Sequence, residues 1–545
     1  MPRIPHGQVV TANFVQELQT STVVFDILER LESAIGGPII RRPRPQPRDL
    51  QDFDFMFPTL QSDPANLLPE STQTLVRLKD LAATMEDRSE PGGANEDSPI
   101  PAAYTYFGQF VDHDVTFEVQ PADLPPSFSG SVQQLLVEDM VPLPLKEIKN
   151  VIRNFRTSTL DLDSLYDLPA PRDPENGDKL RLGDVSLVGN RPPGKEDDND
   201  LPREPRSADI LHDRAALIGD PRNDENLIIG QLHVAFLKAH NRLVDEGRTF
   251  KQAQRVLRRH YQHIVLQDFL KRVADPAIVD RILRQGNRLY KPSNRSVFMP
   301  LEFAVAAYRF GHTMVRRTYD FNLNFNIARN GRGASLEQLF TFTALSGDFS
   351  GKETLPENWI IEWENIIGDG SNLGRNARRF DTQLAGFPRP EPEEEGVALF
   401  NLQTPAGNSE TGLAAQLSTR NLLRGYRMRL PTGQAVARFA GVPVLTAEQL
   451  RATSANPAQE QALLAGGFQD RTPLWYYLLA EAKHHGGTRL GPLGSTIVAE
   501  VLIGLVRRSA DSILTNPGWK PSLPAAKQGT FELADLLRFA KVLPG

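Results

Sequence analysis

The helical periodicity of its apolar residues constrains this chain more than any other feature of its sequence. In segment 226–246, Leu232, Phe236, Ala239 and Leu243 recur at helical spacing and form one apolar face. The same periodicity recurs in three further segments, 252–273, 300–318 and 496–508. Clear alternating strands are few and short. We therefore predict a mainly α fold with long loops and little β-structure.

The first 50 residues differ in character from the rest of the chain. An amphipathic stretch (FVQELQTSTVVFDILERLESAIGG) is followed by the basic, proline-rich RRPRPQPRD. This composition is typical of an arm joined by a link, and its role is open between docking onto the body and binding a partner. No later linker is long enough to separate domains, so we predict an N-terminal arm over 1–50 and one catalytic domain over 51–545.

Composition excludes several classes of function. The formal net charge of −6 argues against a nucleic-acid partner, which usually leaves a basic footprint. Cysteine is absent, so metal chemistry must use His, Asp, Glu or backbone oxygen. No signal peptide is visible, so we expect a cytoplasmic location or leaderless secretion. The most apolar stretch, 496–506, is too short to span a bilayer and contains Glu500, which indicates a buried helix.

Three clusters of residues carry the chemical signals. The first is YFGQFVDHD at 106–114. If this segment is helical, Gln109 and His113 share one face, and Asp112 and Asp114 flank the histidine. A polar surface turn is the alternative.

The second cluster is GDPRNDEN at 219–226, followed by an amphipathic helix. Arg222 and Glu225 are three residues apart and can face one site near a helix start. Asn223, Asp224 and Glu225 are also good first-turn residues, so helix capping is the alternative.

The third cluster is YRFGHTM at 308–314. Gly311 precedes His312 in an apolar helix, and a glycine there permits the close approach of a flat group such as a macrocycle. A satisfied core histidine is the alternative for His312.

Together and in this order, these clusters resemble the peroxidase–cyclooxygenase superfamily, the animal haem peroxidases. GQFVDHD is similar to the distal-histidine motif, GDPRNDEN to the distal-arginine segment and YRFGHTMV to the proximal-histidine helix. Further similar segments lie at 261–270, 420–431 and 486–506, so the resemblance covers roughly residues 50–515. The pattern is most similar to bacterial members. It implies a single large, helical, animal-haem-peroxidase-like domain.

The resemblance assigns roles around haem b. It implies that His312 binds the haem iron and that Asn421 orients its other ring nitrogen, although a plain helix cap is the alternative for Asn421. Arg309, in the proximal motif, is counted among the haem-binding residues. On the opposite face, His113 would exchange a proton with hydrogen peroxide. The remaining distal residues are Arg222, which would stabilise charge as the O–O bond breaks, and Gln109, which would hold a water or an anionic substrate.

The resemblance further implies a donor preference and covalent links. The ferryl haem formed by peroxide would oxidise small donors. Asp112 and Glu225 occupy positions that form haem esters in relatives; hydrogen bonding to the site is the alternative. Asn226 replaces a methionine that forms a third link in some relatives. The absence of this third link favours bromide, iodide, thiocyanate or organic and phenolic donors over chloride.

A calcium site is also implied. Asp114 resembles a calcium ligand, and its partners would come from Thr157, Thr159, Asp161 and Asp163, with Thr159 using its backbone carbonyl. Alternating oxygen ligands suit a hard cation, although such a loop alone is more often a turn. Asp163 stands where some relatives use serine.

Two other functions compete with a peroxidase. The superfamily includes fatty-acid dioxygenases, whose radical-forming tyrosine lies three residues before the proximal histidine. Here that position is Arg309 and the tyrosine is Tyr308, which a helix would rotate by about 100°. The second alternative is a haem-binding or adhesion scaffold without catalysis. The presence of four site residues together argues against it: His113, Arg222, Gln109 and His312.

Overall fold

The computed structural model describes residues 10–11, 51–87, 97–120, 141–166, 171–207, 213–291, 297–341, 353–368, 376–386 and 417–544. Within them the fold is mainly helical, as predicted. The α-helices are, in chain order, α1 (Thr72–Ala83), α2 (Ala103–Val115), α3 (Leu145–Val151), α4 (Asp163–Tyr166), α5 (Leu227–Asp245), α6 (Phe250–His263), α7 (Leu270–Val273), α8 (Pro276–Gln285), α9 (Gly311–Met314), α10 (Ile327–Asn330), α11 (Leu336–Thr341), α12 (Glu364–Ile367), α13 (Leu417–Arg427), α14 (Gly433–Ala440), α15 (Ala447–Ala452), α16 (Pro457–Ala465), α17 (Leu474–His484), α18 (Pro492–Arg508) and α19 (Leu533–Phe539).

Shorter helical turns connect these helices. The 3₁₀ segments are Pro58–Ser62, Pro64–Asn66, Pro221–Asp224, Ala307–Phe310 and Glu357–Trp359. Two π-helical segments, Ile264–Phe269 and Glu302–Ala306, adjoin α-helix or 3₁₀ turns.

The strands are short, as predicted. They are β1 (Val10–Thr11), β2 (Gln51–Asp54), β3 (Glu86–Asp87), β4 (Asp97–Pro101), β5 (Glu118–Gln120), β6 (Arg153–Asn154), β7 (Phe298–Pro300), β8 (Thr318–Tyr319), β9 (Ala334–Ser335), β10 (Asn376–Arg378) and β11 (Leu384–Ala385). Five of them form a sheet in the order β1-β5-β6-β2-β7. Its two end pairs are parallel and its two inner pairs are antiparallel. This sheet joins the end of α2 to the segment before α9.

Helices α2, α5 and α6 build the part of the core that carries the site. Phe110 of α2 stacks on Phe236 of α5, with ring centroids 4.7 Å apart, and Tyr261 of α6 meets both rings edge-on. Asn226 begins α5 by accepting a hydrogen bond from the backbone N–H of Ile229 at 3.0 Å, as an N-cap does. The helix therefore starts directly after the GDPRNDE loop.

Helix α18 is the buried helix predicted from 496–506. Its polar exception, Glu500, is buried and accepts hydrogen bonds from the backbone N–H groups of Arg288, Leu289 and Tyr290. Among the described residues, no helix is both long and apolar enough to cross a membrane.

Segment 300–318 departs from the continuous helix that its periodicity predicts. It divides into the π segment, the 3₁₀ turn and the short α9. The break falls at Ala306, whose φ and ψ of −129° and −67° lie outside the helical region. The predicted arm falls outside the described residues, except for Val10–Thr11, which pairs with β5.

Candidate active site

His113 lies in the last turn of α2, and its side chain is buried. Nδ1 of the ring lies 2.8 Å from Oδ1 of Asn223, and Nε2 lies 3.9 Å from a carboxylate oxygen of Glu225. Burial lowers the pKa of His113 below its usual value, and the Arg222 guanidinium lowers it further. The ring is therefore neutral near pH 7, and one of its nitrogens is free to accept a proton.

Gln109 and His113 both contact Glu225, in keeping with their predicted common face on α2. Nε2 of Gln109 donates to Oε1 of Glu225. Oε1 of Gln109 accepts from Nδ2 of Asn226 at 3.1 Å. Glu225 is thus hydrogen bonded within the site, and a polar cluster closes around the Nε2 side of His113.

Arg222 lies beside this cluster, with its guanidinium turned toward the end of α2. Nη2 donates to the carbonyl oxygens of His113 at 3.1 Å and Thr116 at 2.6 Å. Nε donates to Oδ1 of Asp220 at 3.0 Å. The guanidinium lies over the ring of Phe117, 4.6 Å from its centroid. These donors bind protein oxygens, so the role of Arg222 toward peroxide stays a prediction.

Asp220 is a site residue that the sequence motifs did not single out. It is buried and pairs with Arg156 at 2.5 Å as well as with Arg222. Although burial opposes its ionisation, Arg222 and Arg156 hold the pKa of Asp220 well below its usual range. Nε of Arg156 also donates to the carbonyl oxygen of His113 at 3.0 Å. The Arg156–Asp220–Arg222 group therefore clamps the backbone of the histidine.

Asn223 and His233 are further residues whose part in the site the sequence did not reveal. Asn223 was considered only as a capping residue, and His233 lies among apolar residues of α5. Nδ2 of Asn223 lies 3.0 Å from Nδ1 of His233. Burial lowers the pKa of His233 to about 3. The sole sequence signal was a histidine within the apolar first half of α5, and such a histidine is more often structural.

His312 lies in α9, which packs against α2. Its Nδ1 lies 2.8 Å from the side-chain amide of Asn421 in α13. The structure thus brings together the two residues paired in the sequence analysis. An added Cβ on the neighbouring Gly311 would meet no described atom within 4 Å, so open space adjoins the histidine.

Tyr308 and Arg309 lie in the 3₁₀ turn before α9 rather than in an α-helix. The ring of Tyr308 stacks on Phe303 at 4.7 Å between centroids, and its hydroxyl has no hydrogen-bond partner among the described residues. Burial and the nearby Asp112 raise the pKa of Tyr308 well above its usual value. Nε of Arg309 donates to the carbonyl oxygen of Ala304 at 3.0 Å.

Arginines gather beside these two histidine-bearing helices. Arg309 and Arg420 form no ion pair with a carboxylate among the described residues. Burial and then the charge of Arg309 lower the pKa of Arg420 to about 10. Arg424 pairs with Glu118, yet its Nε has no described partner. Asp112, which accepts from Oγ1 of Thr116 at 3.0 Å, is the carboxylate that acts electrostatically on Arg309 and Arg424.

The loop for which calcium was predicted contacts Asp114 through its backbone, and calcium binding there stays a prediction. Oδ2 of Asp114 accepts from the backbone N–H of Leu162 at 3.2 Å. Oγ1 of Thr157 donates to Asp163 at 2.5 Å, and Oγ1 of Thr159 donates to Asp161 at 2.7 Å. Burial and the neighbouring Asp163 raise the pKa of Asp114 well above its usual value. The loop hydroxyls are therefore hydrogen bonded to the loop carboxylates.

The three motifs lie within a segment that matches a known protein family. Residues 89–353 match the family model of the animal haem peroxidases. The peroxidase-like protein of Margaritifera margaritifera is 30% identical over 255 residues, which are 40% of this chain and 32% of that protein. The chorion peroxidase of Aedes aegypti is 24% identical over 339 residues, 58% of this chain and 37% of that protein. The chain thus spans about a third of the length of these relatives.

A solved structure shares the fold. Peroxidase A of Dictyostelium discoideum superposes with a TM-score of 0.53 and 16% sequence identity, covering 86% of this chain and 89% of that chain. At this identity the likeness concerns the fold alone. Of the paired residues on the proximal side, His312 lies inside the matched family segment and Asn421 lies beyond it.

Proposed function

The chain belongs to the peroxidase–cyclooxygenase superfamily, and from that premise we propose that it is a haem peroxidase that reduces hydrogen peroxide and oxidises small donors. One observation carries the proposal. A buried, neutral His113 with hydrogen-bonded Gln109 and Glu225 lies on a helix packed against the helix of His312, which contacts Asn421. Such an arrangement offers an acid–base group on one side and a metal-ligating imidazole on the other.

The residues present fit a haem group. Open space adjoins Gly311 beside His312, as a flat macrocycle requires. Arg309 and Arg420 are half-buried and form no ion pair with a described carboxylate, although Asp112 and Glu225 act on them electrostatically. A cation removed from water is costly unless it is paired. Haem propionates would supply the missing negative charge. His312 would hold the iron through Nε2, with Nδ1 turned to Asn421.

The chain's own residues divide the work on peroxide. Haem held by His312 would supply the redox chemistry that cleaves the O–O bond. His113 accepts a proton from peroxide at Nε2 and returns it to the departing oxygen, which leaves as water. Arg222 and Arg156 hold the backbone of His113 in place through its carbonyl oxygen. We further propose that Arg222 stabilises the negative charge that develops as the O–O bond breaks.

The residue at position 226 bears on the donors that we propose. It is asparagine, held by its N-cap bond and by Gln109, so no methionine is present there to form a third link. We therefore propose bromide, iodide, thiocyanate or organic donors. Asp112 and Glu225 would carry ester links to the haem, in competition with the hydrogen bonds that Glu225 accepts from Gln109 and that Asp112 accepts from Thr116.

We propose that calcium binds the loop beside Asp114 through hydroxyl and backbone oxygens as well as carboxylates, since no three His, Asp or Glu side chains of the described residues converge as a metal cluster. The fully buried Asp114 lies close enough to Asp161 and Asp163 to have its pKa raised by both, after burial. The hydroxyls of Ser158 and Ser164 are buried without hydrogen-bond partners among the described residues. All candidate ligands are oxygens, which Ca²⁺ prefers. A bound cation would offset the repulsion among these carboxylates.

The direct test is the absorption spectrum of the full chain expressed with haem supplied. We expect a Soret band that the His312→Ala variant loses and that the control His484→Ala, altered at an exposed histidine, retains. The His113→Gln variant should keep the band, but its peroxide-dependent rate should fall by about 10²–10⁴-fold.

Three results would overturn the proposal. An unchanged spectrum in His312→Ala would remove the ligand assignment. A Soret band without peroxide-dependent turnover would favour a haem-binding scaffold. Efficient oxygenation of a fatty acid without peroxide oxidation of donors would favour a dioxygenase.

A further inference from the structure

A line of three side chains runs from His113 into the protein. The amide of Asn223 lies between two imidazoles, with Oδ1 2.8 Å from Nδ1 of His113 and Nδ2 3.0 Å from Nδ1 of His233. All three side chains are buried, with exposed fractions of 5%, 0% and 1% for His113, Asn223 and His233. Buried polar groups that are fully hydrogen bonded hold one another in a single arrangement.

The two ends of an amide have different chemistry. Its oxygen only accepts hydrogen bonds and its nitrogen only donates them. Oδ1 therefore requires a proton on Nδ1 of His113, and Nδ2 requires a lone pair on Nδ1 of His233. His233 meets that requirement because burial lowers its pKa to about 3 and keeps the ring neutral.

The carboxylate of Glu225 would favour the other tautomer of His113 if nothing opposed it. This carboxylate lies 3.9 Å from Nε2 of His113, and a carboxylate at that side favours a proton on Nε2. A proton there would leave Nε2 without the lone pair that a base requires. Asn223 opposes this tautomer from the other side of the ring.

We propose that Asn223 and His233 are positioning residues that hold His113 as the Nδ1–H tautomer and so keep Nε2 free to accept the proton of hydrogen peroxide. The transferred proton moves from peroxide to Nε2, leaving a hydroperoxide anion and an imidazolium. The inference deepens the proposed peroxidase function and rests on it for hydrogen peroxide as the proton donor.

The tautomer can be read directly by ¹⁵N NMR of the full chain labelled in its histidine rings. When haem is bound, the diamagnetic ferrous carbon monoxide form is used. The signal of His113 is identified by its disappearance in His113→Gln. We expect the Nδ1–H pattern in the wild type and in Asn223→Asp, which retains an acceptor, and a shift toward Nε2–H in Asn223→Leu. An Nε2–H wild type, or an unchanged pattern in Asn223→Leu, would overturn the inference.

Kinetics provide a second readout. Asn223→Leu should lower kcat/KM for peroxide by about 10²–10⁴-fold, the range that general acid–base catalysis contributes, without altering KM for the donor. Asn223→Asp should restore it to within about threefold, and His233→Phe should cost about tenfold because the amide is free to rotate. Equal losses in Asn223→Leu and Asn223→Asp would contradict a positioning role.

A matched control variant distinguishes the positioning of His113 from a general effect of losing a buried asparagine. Asn241, on the same helix as His233, bonds the backbone N–H and carbonyl of Leu180 at 2.7 Å each, outside this site. Asn241→Leu should lower thermal stability without changing the His113 tautomer or kcat/KM. If Asn223→Leu does not fold, Asn223→Asp and His233→Phe still decide the question. If the wild type shows no peroxide turnover, the proposed function fails while the NMR result still tests the tautomer.

Discussion

Nδ1 of His312 lies 2.8 Å from the side-chain amide nitrogen of Asn421, across 109 residues of sequence. Rotation of this amide about its Cβ–Cγ bond exchanges its nitrogen and oxygen. With Oδ1 in that place, Nδ1 would donate its proton to Asn421 and leave Nε2 to bind iron. The partner of His312 would then tune how strongly the imidazole donates electrons.

Substitution of Asn421 should therefore shift the reduction potential of bound haem. Asn421→Asp supplies a charged acceptor, strengthens donation by His312 and lowers the potential. Asn421→Leu removes the acceptor, raises the potential and weakens haem retention by about 10–100-fold. Spectroelectrochemical titration measures both variants against the wild type. Equal potentials in all three proteins would mean that Asn421 only supports α13.

Loss of Arg222 should destabilise the protein and also slow its reaction with peroxide. Arg222→Ala leaves Asp220, which is completely buried, with Arg156 as its remaining cation, and it removes a donor from the backbone of His113. We expect a loss of about 2–4 kcal/mol in the free energy of unfolding, measured by urea denaturation.

The control for Arg222 is Arg255→Ala. Arg255 is exposed and pairs with Asp511, so its loss should change stability by less than about 1 kcal/mol. Equal stability of Arg222→Ala and the wild type would mean that Arg222 contributes nothing to the clamp and acts only elsewhere.

Removal of calcium should lower the melting temperature. Treatment with EGTA leaves Asp114, Asp161 and Asp163 facing one another, and added Ca²⁺ at a hundredfold excess over its Kd should restore about 3 kcal/mol. Asp114→Asn should abolish the response to Ca²⁺. Asp280→Asn, at a surface pair with Lys271, should respond like the wild type. A melting temperature indifferent to EGTA in the wild type would contradict a calcium site.

Haem should resist acid–acetone extraction if the ester links form. Asp112→Asn and Glu225→Gln would each remove one link, and the double variant should release all haem into the solvent. Free extraction from the wild type would show that both carboxylates serve through hydrogen bonds instead. The extracted and retained fractions are quantified by absorbance.

Glu302 should make stability depend on pH. It is buried at the start of the π segment and accepts from the backbone N–H groups of Met56 and Phe57. Burial raises its pKa from 4.5 to about 7, so between these values the folded protein binds the proton that the unfolded chain releases. Stability from this group is present at low pH and is lost as pH rises through 7.

Glu302→Gln removes that titration. Relative to the variant, the wild type should lose about 2 kcal/mol of unfolding free energy between pH 5 and pH 8. Glu481, a second buried carboxyl with a pKa of about 7, is present in both proteins and cancels in the difference. Parallel pH profiles for the two proteins would contradict the assignment.

Periodicity predicted the helical class and the spacing of Gln109 and His113 because both depend on contacts within one helix. Through their family resemblance, the motifs also implied that Asp114 lies near the loop at 157–163. They did not predict the orientation of Arg222, because a motif specifies a residue but not its rotamer. They also missed the pairing of Asn223 with His113, which joins positions 110 residues apart through tertiary packing.

The break before His312 escaped prediction for a related reason. Segment 300–318 is apolar enough for a continuous helix, and periodicity does not distinguish α, 3₁₀ and π turns. The backbone of Met56 and Phe57 binds Glu302 at the start of the segment. Tertiary contacts of this kind override the local preference for an α-helix.

The carbonyl of His113 lies in the last turn of α2, where no helical N–H reaches it, and the guanidiniums of Arg156 and Arg222 complete its hydrogen bonding. These arginines lie 43 and 109 residues further along the chain. The GQFVDHD helix is therefore not a portable module. Grafted onto another scaffold without both arginines and Asp220, it would fray at the turn that carries the histidine.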